Sequence, residues 1–487
     1  LYFIYQKRNL INKNAAYMID QQREIIKFYY KKRFKINIME SKNYDRRNFI
    51  RTSAAATGAA VLSGIGLSQQ AMANQVNAVS QNGKKIRLGF IGIGGRGQYH
   101  LSEALGIEGV EVPAICELKP VRVHTAKRWI EESGRPTPNI YDRGPEDYKR
   151  LCEEEDLDAV IISTPWELHA PMCLTAQRNN KHAVSEVPML LTVDQAWEIL
   201  ETYEKTGKWA TIGLEGFGDL AILNMIQKGM LGDIIHAEGG YVHDLRLVKF
   251  DPQEEPWRLQ HSISRNGNLY PDHPMNKILS MLGINHGDRI DYVVSMSSKA
   301  VMLNKYAALN YGEDSHYAKI KMAQGDYNSS LIRTVNGKMF TLNFDTNTPH
   351  PREHFRVQGT KGVYFRMGWD PKIYIEGLSP KEHSWEPADK YMKEYEHPIV
   401  KNFVASDRIW QGGGGHGGVS SKVDMRWSRL IEALREERMP DWDIYDSITS
   451  STISAITEES VAKNGQPVKF PDFTKGKWKD RAPLTFL

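Results

Sequence analysis

"KIRLGFIGIGGRGQYHLSEAL", residues 85–105, passes from a β-rich apolar run through Gly92, Gly94, Gly95 and Gly97 into a helix-like stretch. Gly92-x-Gly94-x-x-Gly97 is the G-x-G-x-x-G spacing, set after a strand and before a helix, where a dinucleotide-binding turn needs it. The glycines let the backbone approach a pyrophosphate, and the helix N-terminus offers it unpaired N–H groups. A second apolar run, "VEVPAICELK", brings Glu117 to a point about twenty residues past the last glycine. A carboxylate there accepts a ribose 2′-hydroxyl and repels a 2′-phosphate, so the pattern favours NAD over NADP. Arg96, inside the loop, is a candidate phosphate partner.

The alternation continues outward from this unit. "DLDAVIISTPWELHAPMCLTAQRNN" and "KHAVSEVPMLLTVDQAWEILETYEKTG" each read as strand, loop and helix, and "KWATIGLEG" as a further strand. The loops after these strands, Thr164–His169 and Glu186–Val187, are expected at the cofactor, because ligands in such sheets bind beyond the strand C-termini. Near Gly216 the rhythm changes to longer alternating runs such as "KMFTLNFDTNT" and "HFRVQGTKGVYFRM", which suggest a mostly antiparallel sheet. The expected fold is α/β. A Rossmann NAD-binding domain spans 85–215, and a substrate-binding α/β domain with a large, mostly antiparallel open sheet spans 216–487.

The chain has 487 residues, 41% of them hydrophobic and 25% charged, with a net charge of only +4, so two globular domains are expected and no nucleic-acid footprint. Cys116, Cys152 and Cys173 have neither disulfide nor metal-ligand spacing, and no metal is expected. "DRRNFIRTSAAATGAAVLSGIGLSQQAMA" has Arg46-Arg47, a mildly apolar stretch and a terminal Ala-Met-Ala, the layout of a Tat-type signal peptide over 39–73. Its apolar part is too short for a membrane span, so the mature protein is expected to be periplasmic or at the cell surface, without stable membrane insertion. Residues 1–38 read as an over-extended start ahead of Met39, and 74–84 as a linker.

Several longer motifs, "STPWELHAP", "GGYVHDLR", "RNGNLYPDH", "GGGGHGG" and "PDFTKGKWK", resemble segments of glycoside hydrolase family 109, the NAD-dependent α-N-acetylgalactosaminidases. That family lies within the Gfo/Idh/MocA oxidoreductases, which usually carry Glu-Lys-Pro where this chain has Glu186-Val187-Pro188. The resemblance implies a tightly held NAD used as a catalyst. The sugar C3 hydroxyl is oxidised, the C2 proton is removed, the aglycone leaves by elimination, water adds and the ketone is reduced, with retention at the anomeric carbon. By motif, Gly95, Arg96, Glu117, Trp166, Glu167, Leu168, His169, Glu186 and Val187 would contact NAD. Tyr241, Arg258, Tyr270, Pro271, Asp272 and His273 would line the sugar site, with Tyr270 near both. His243, beside Tyr241, is a further candidate. The chain departs from the family at Asp272, where threonine is usual, and at Gly216, where asparagine is usual. It also lacks a tyrosine before "VQGT".

Elimination needs an acid at the leaving oxygen. His416, flanked by Gly412–Gly415 and two further glycines, is a candidate because imidazole titrates near neutrality and the glycines allow it to move. The plainer reading is a surface loop that carries one histidine. Tyr270 and His273 are candidates for taking the C3 or C2 proton. The expected partner is a terminal sugar of a glycan or small glycoside, and a homo-oligomer is expected from the broader family. The alternative functions are a sugar or glycoside 3-oxidoreductase without net hydrolysis and a non-catalytic carbohydrate binder.

Overall fold

A computed structural model describes residues 84–487 apart from 216–217, 253–254, 353, 416–419, 485 and 487. The expected start-site extension, signal peptide and nearly all of the linker therefore lie outside the described residues, as do Gly216 and His416.

Six parallel strands form the first sheet: β1 (Ile86–Ile91), β2 (Val110–Cys116), β3 (Asn139–Tyr141), β4 (Ala159–Ile162), β5 (His182–Ser185) and β6 (Ala210–Thr211). Their order is β3-β2-β1-β4-β5-β6, so the chain reverses its direction of travel between β1 and β4. That reversal opens a crevice at the strand C-termini, where the glycine loop begins. Apolar side chains on both faces of β1 are closed to solvent, as a central parallel strand between helices requires.

The second sheet has nine strands: β7 (Ile234–Val242), β8 (Ile290–Ser297), β9 (Asn328–Thr334), β10 (Met339–Asp345), β11 (His354–Gly359), β12 (Gly362–Met367), β13 (Asp370–Ile375), β14 (Glu386–Pro387) and β15 (Val468–Lys469). They lie in the order β14-β13-β12-β11-β7-β10-β9-β8-β15. Among the described residues only β7 and β10 pair in parallel, so the sheet is mostly antiparallel as expected. The helices Asp272–Leu282 and Ile444–Ala462 cover one face. On the strands, Ile235, Met296, Leu331 and Met339 remain exposed.

The helix Ile444–Ala462 joins the two sheets through hydroxyls. Ser451 Oγ accepts the Met189 N–H, Ser447 Oγ accepts the Ile212 N–H, Thr457 Oγ1 accepts that of Asn268 and Ser460 Oγ accepts that of Ser295. Each buried backbone donor thereby finds a partner inside the core.

One helix from beyond the expected boundary packs against the first sheet. Val423, Trp427, Leu430, Ile431 and Leu434 pack with Ile86, Leu88, Phe90 and Leu101 in a single apolar cluster. The helix Met425–Arg435 thus belongs with the first sheet, although it lies far down the chain. Apolar burial decides this, because the helix presents a buried face to the flank of β1.

Candidate active site

The glycine loop fits a bound dinucleotide on steric grounds. Gly92 has φ +84°, and a Cβ on Gly97 would stand 2.0 Å from the Gly92 carbonyl oxygen. Only glycines allow that approach. No side chain caps the helix Gly95–Leu105, whose N-terminal turn follows directly. Glu117 Oε2 accepts the Ile93 N–H at 2.7 Å and Oε1 accepts the Lys119 N–H at 2.8 Å, fixing the carboxylate at the end of β2.

Arg96 points at Glu186, with Nε 2.8 Å from Oε1, and His100 Nε2 lies 2.7 Å from the same oxygen. Burial opposes ionisation of Glu186, but Arg96 and His100 outweigh it and hold the carboxyl well below the usual range. Burial likewise drives His100 below its ordinary value. Val187 is buried, and the Val187–Pro188 peptide is cis.

The loop expected over Thr164–His169 is shorter than that. Pro165 caps the helix Trp166–Arg178, so Trp166, Glu167, Leu168 and His169 form its first turn. His169 is buried with Nδ1 2.8 Å from the Pro188 oxygen and Nε2 2.7 Å from the Thr164 oxygen. It ties the loops after β4 and β5 together. Glu167 reaches His261 at 3.2 Å, and Leu168 is exposed.

Residues expected at the sugar converge on Trp166. Its ring stacks on Tyr270 with centroids 5.1 Å apart, and the Arg258 guanidinium lies 4.9 Å from the Trp166 ring and 5.4 Å from that of Tyr270. Tyr241 stacks on His273 at 4.7 Å and meets Tyr270 edge-on at 4.6 Å. Tyr241 Oη and His243 Nδ1 are 3.3 Å apart, and Arg352 reaches His243. Burial pushes the Tyr270 phenol well above its usual range despite Arg258, so Tyr270 is a hydroxyl donor rather than a base at neutral pH. A small cavity of about 10 Å³ lies beside this cluster, bounded by Trp166, Arg258, Tyr270, Lys249, Ser262 and Gln324.

One expectation for the "YPDH" stretch changes. It is not a loop: Pro271 caps the helix Asp272–Leu282, placing His273 in its first turn. Asp272 is fully enclosed, and its Oδ1 accepts the Ser450 and Ser451 hydroxyls at 2.8 Å each. Asp272 is thus held against the helix Ile444–Ala462, with Pro271 buried beside it. Burial raises the Asp272 carboxyl to about 6, opposed by the two serines.

The sequence reading missed Glu215, which pairs through Oε1 with His273 Nδ1. It also missed Lys249, Gln324 and the contacts of the strap that leads to His416. Glu215 lies in the same "LEGFGDL" segment as Gly216, one of two acids there with Asp219.

Residues 86–214 match the oxidoreductase family with an NAD-binding Rossmann fold, and residues 218–480 match the glycosyl hydrolase 109 C-terminal domain. A glycosyl hydrolase family 109 protein of Shewanella baltica (strain OS185) is 37% identical over 91% of this chain and 99% of its own length. One from Shewanella putrefaciens (strain CN-32 / ATCC BAA-453) is 36% identical over 91% and 98%. The chain belongs to glycosyl hydrolase family 109. As a family 109 protein it is an NAD-dependent glycoside hydrolase. Solved structures share its fold. A levoglucosan dehydrogenase in complex with NADH has a TM-score of 0.58 at 18% identity, covering 80% of this chain and 99% of its own. Aldose-aldose oxidoreductase from Caulobacter crescentus has a TM-score of 0.56 at 17% identity, covering 80% and 100%.

Proposed function

We propose that this family 109 enzyme is exported by the twin-arginine route and cleaves terminal α-N-acetylgalactosaminides by oxidation, elimination, addition and reduction. The observation that carries the chemistry is the Glu215–His273 pair set among the rings of Tyr241 and Tyr270. A carboxylate at Nδ1 orients an imidazole and strengthens it as a base. His273 takes the C3-hydroxyl proton, a task that falls to lysine in relatives bearing Glu-Lys-Pro and that Val187 cannot perform. Tyr270 donates a hydrogen bond to the sugar, and the Arg258 guanidinium and Trp166 close the site against water. NAD, when bound, accepts the C3 hydride and later returns it. His416 protonates the leaving oxygen.

The test is cleavage of an aryl glycoside in D₂O. The released sugar carries deuterium at C2 and no NADH accumulates. Unlabelled sugar would remove the elimination mechanism, and NADH formed in proportion to substrate would favour a net sugar oxidoreductase.

A further inference from the structure

The glycine strap is held to the cofactor helix at both of its feet. Ser406 and Arg408 pair with Val423 and Ser421 through the backbone, closing residues 407–422 into a loop with a narrow base. At that base one buried carboxylate, Glu103, holds both strands. Its Oε1 accepts from Arg408 Nη1 at 2.6 Å, and its Oε2 accepts the Asp424 N–H at 3.2 Å. Glu103 and Arg408 are only 2% and 4% exposed, so the pair is shielded from salt and water. Arg408 also reaches the oxygens of Ser102, whose hydroxyl donates to the Gly412 carbonyl at 3.1 Å.

The glycines permit a close approach rather than simple freedom. Gly415 has φ +113°, and a Cβ there would lie 2.5 Å from the Tyr99 nitrogen and 2.6 Å from the Gly95 oxygen. The strap therefore lies directly on the first turn of the helix that faces the pyrophosphate. Gly414 differs, because a Cβ there meets only Trp129, at 4.0 Å.

We propose that Glu103 is a positioning residue. By clasping both feet of the glycine strap against the cofactor helix, it slows NAD release. This rests on the reading of NAD as a retained catalyst. Glu103 is enclosed beneath the strap. Its action runs through Arg408, the Asp424 amide and the strap backbone.

The experiment compares Glu103→Gln, Gly415→Ala and Gly414→Ala in the full-length protein. Each is loaded with NAD, and release is followed into a scavenging dehydrogenase, with hydrogen exchange read at residues 411–415. Glu103→Gln and Gly415→Ala should release NAD at least about tenfold faster and lose protection in the strap, while Gly414→Ala behaves as wild type. Should Glu103→Gln fail to fold, Gly415→Ala against Gly414→Ala still decides. Unchanged release in a folded Glu103→Gln or in Gly415→Ala, or equal acceleration in Gly414→Ala, overturns the proposal. Because NAD is added, the outcome is separable from the D₂O result: the clasp can fail while elimination stands, and the reverse.

Discussion

Lys249 sets its ammonium among neutral acceptors, Ser262 Oγ at 3.0 Å, Thr346 Oγ1 at 2.8 Å and Asn347 Oδ1 at 2.6 Å. Burial, helped by Arg258 and opposed by Asp345, Asp326 and Asp244, lowers it from 10.5 to about 7. Between those values the unfolded chain binds more protons than the folded one, so stability rises with pH across that window. The slope from this one group approaches about 1.4 kcal/mol per pH unit. Lys249→Met should remove it, read as a flatter dependence of Tm on pH from 7 to 10 than in the wild type. His416 makes a different prediction, on chemistry alone. His416→Ala should abolish cleavage of alkyl glycosides, whose leaving groups need a proton, and spare nitrophenyl glycosides to within about tenfold. Equal losses on both substrates in steady-state assays would take the acid role from His416.

At the scale of elements, what could be read from the sequence was whatever depends on local spacing. Gly92 and Gly97 mark a strand-to-helix turn because no other residue fits at either, and Tyr241 and Tyr270 are set in motifs that lie close on folding. What could not be read depends on distance along the chain. Glu103 and Arg408 are 305 residues apart and meet only because the C-terminal segment returns to the first sheet. The helix Ile444–Ala462 shows no clean apolar stripe, since its buried face is built from serines and threonines that pair with backbone groups of both sheets. A hydrophobic period cannot announce such a helix. The helix starts at Trp166 and Asp272 were read as loop because proline before a helix also marks turns, and only packing distinguishes the two.

At the scale of the whole molecule, the first sheet is not self-sufficient. Val423, Trp427 and Leu430 fill the flank of Ile86, Leu88 and Phe90. Exposing several buried side chains of that size costs about 1.5–3 kcal/mol each, comparable in sum to the stability of a domain. A fragment ending at residue 215 should therefore aggregate or melt without a cooperative transition, and adding residues 405–439 in trans should restore NAD binding. Calorimetry and NAD titration of the two preparations check this; a fragment that binds NAD alone with a sharp transition would contradict it. The same packing has a consequence for the order of events during synthesis. The strands of the first sheet leave the ribosome hundreds of residues before the helix that closes their core. A nascent N-terminal half thus has no finished seat for the dinucleotide. Occupancy by NAD becomes a certificate that translation ran past residue 435, which truncated chains cannot earn.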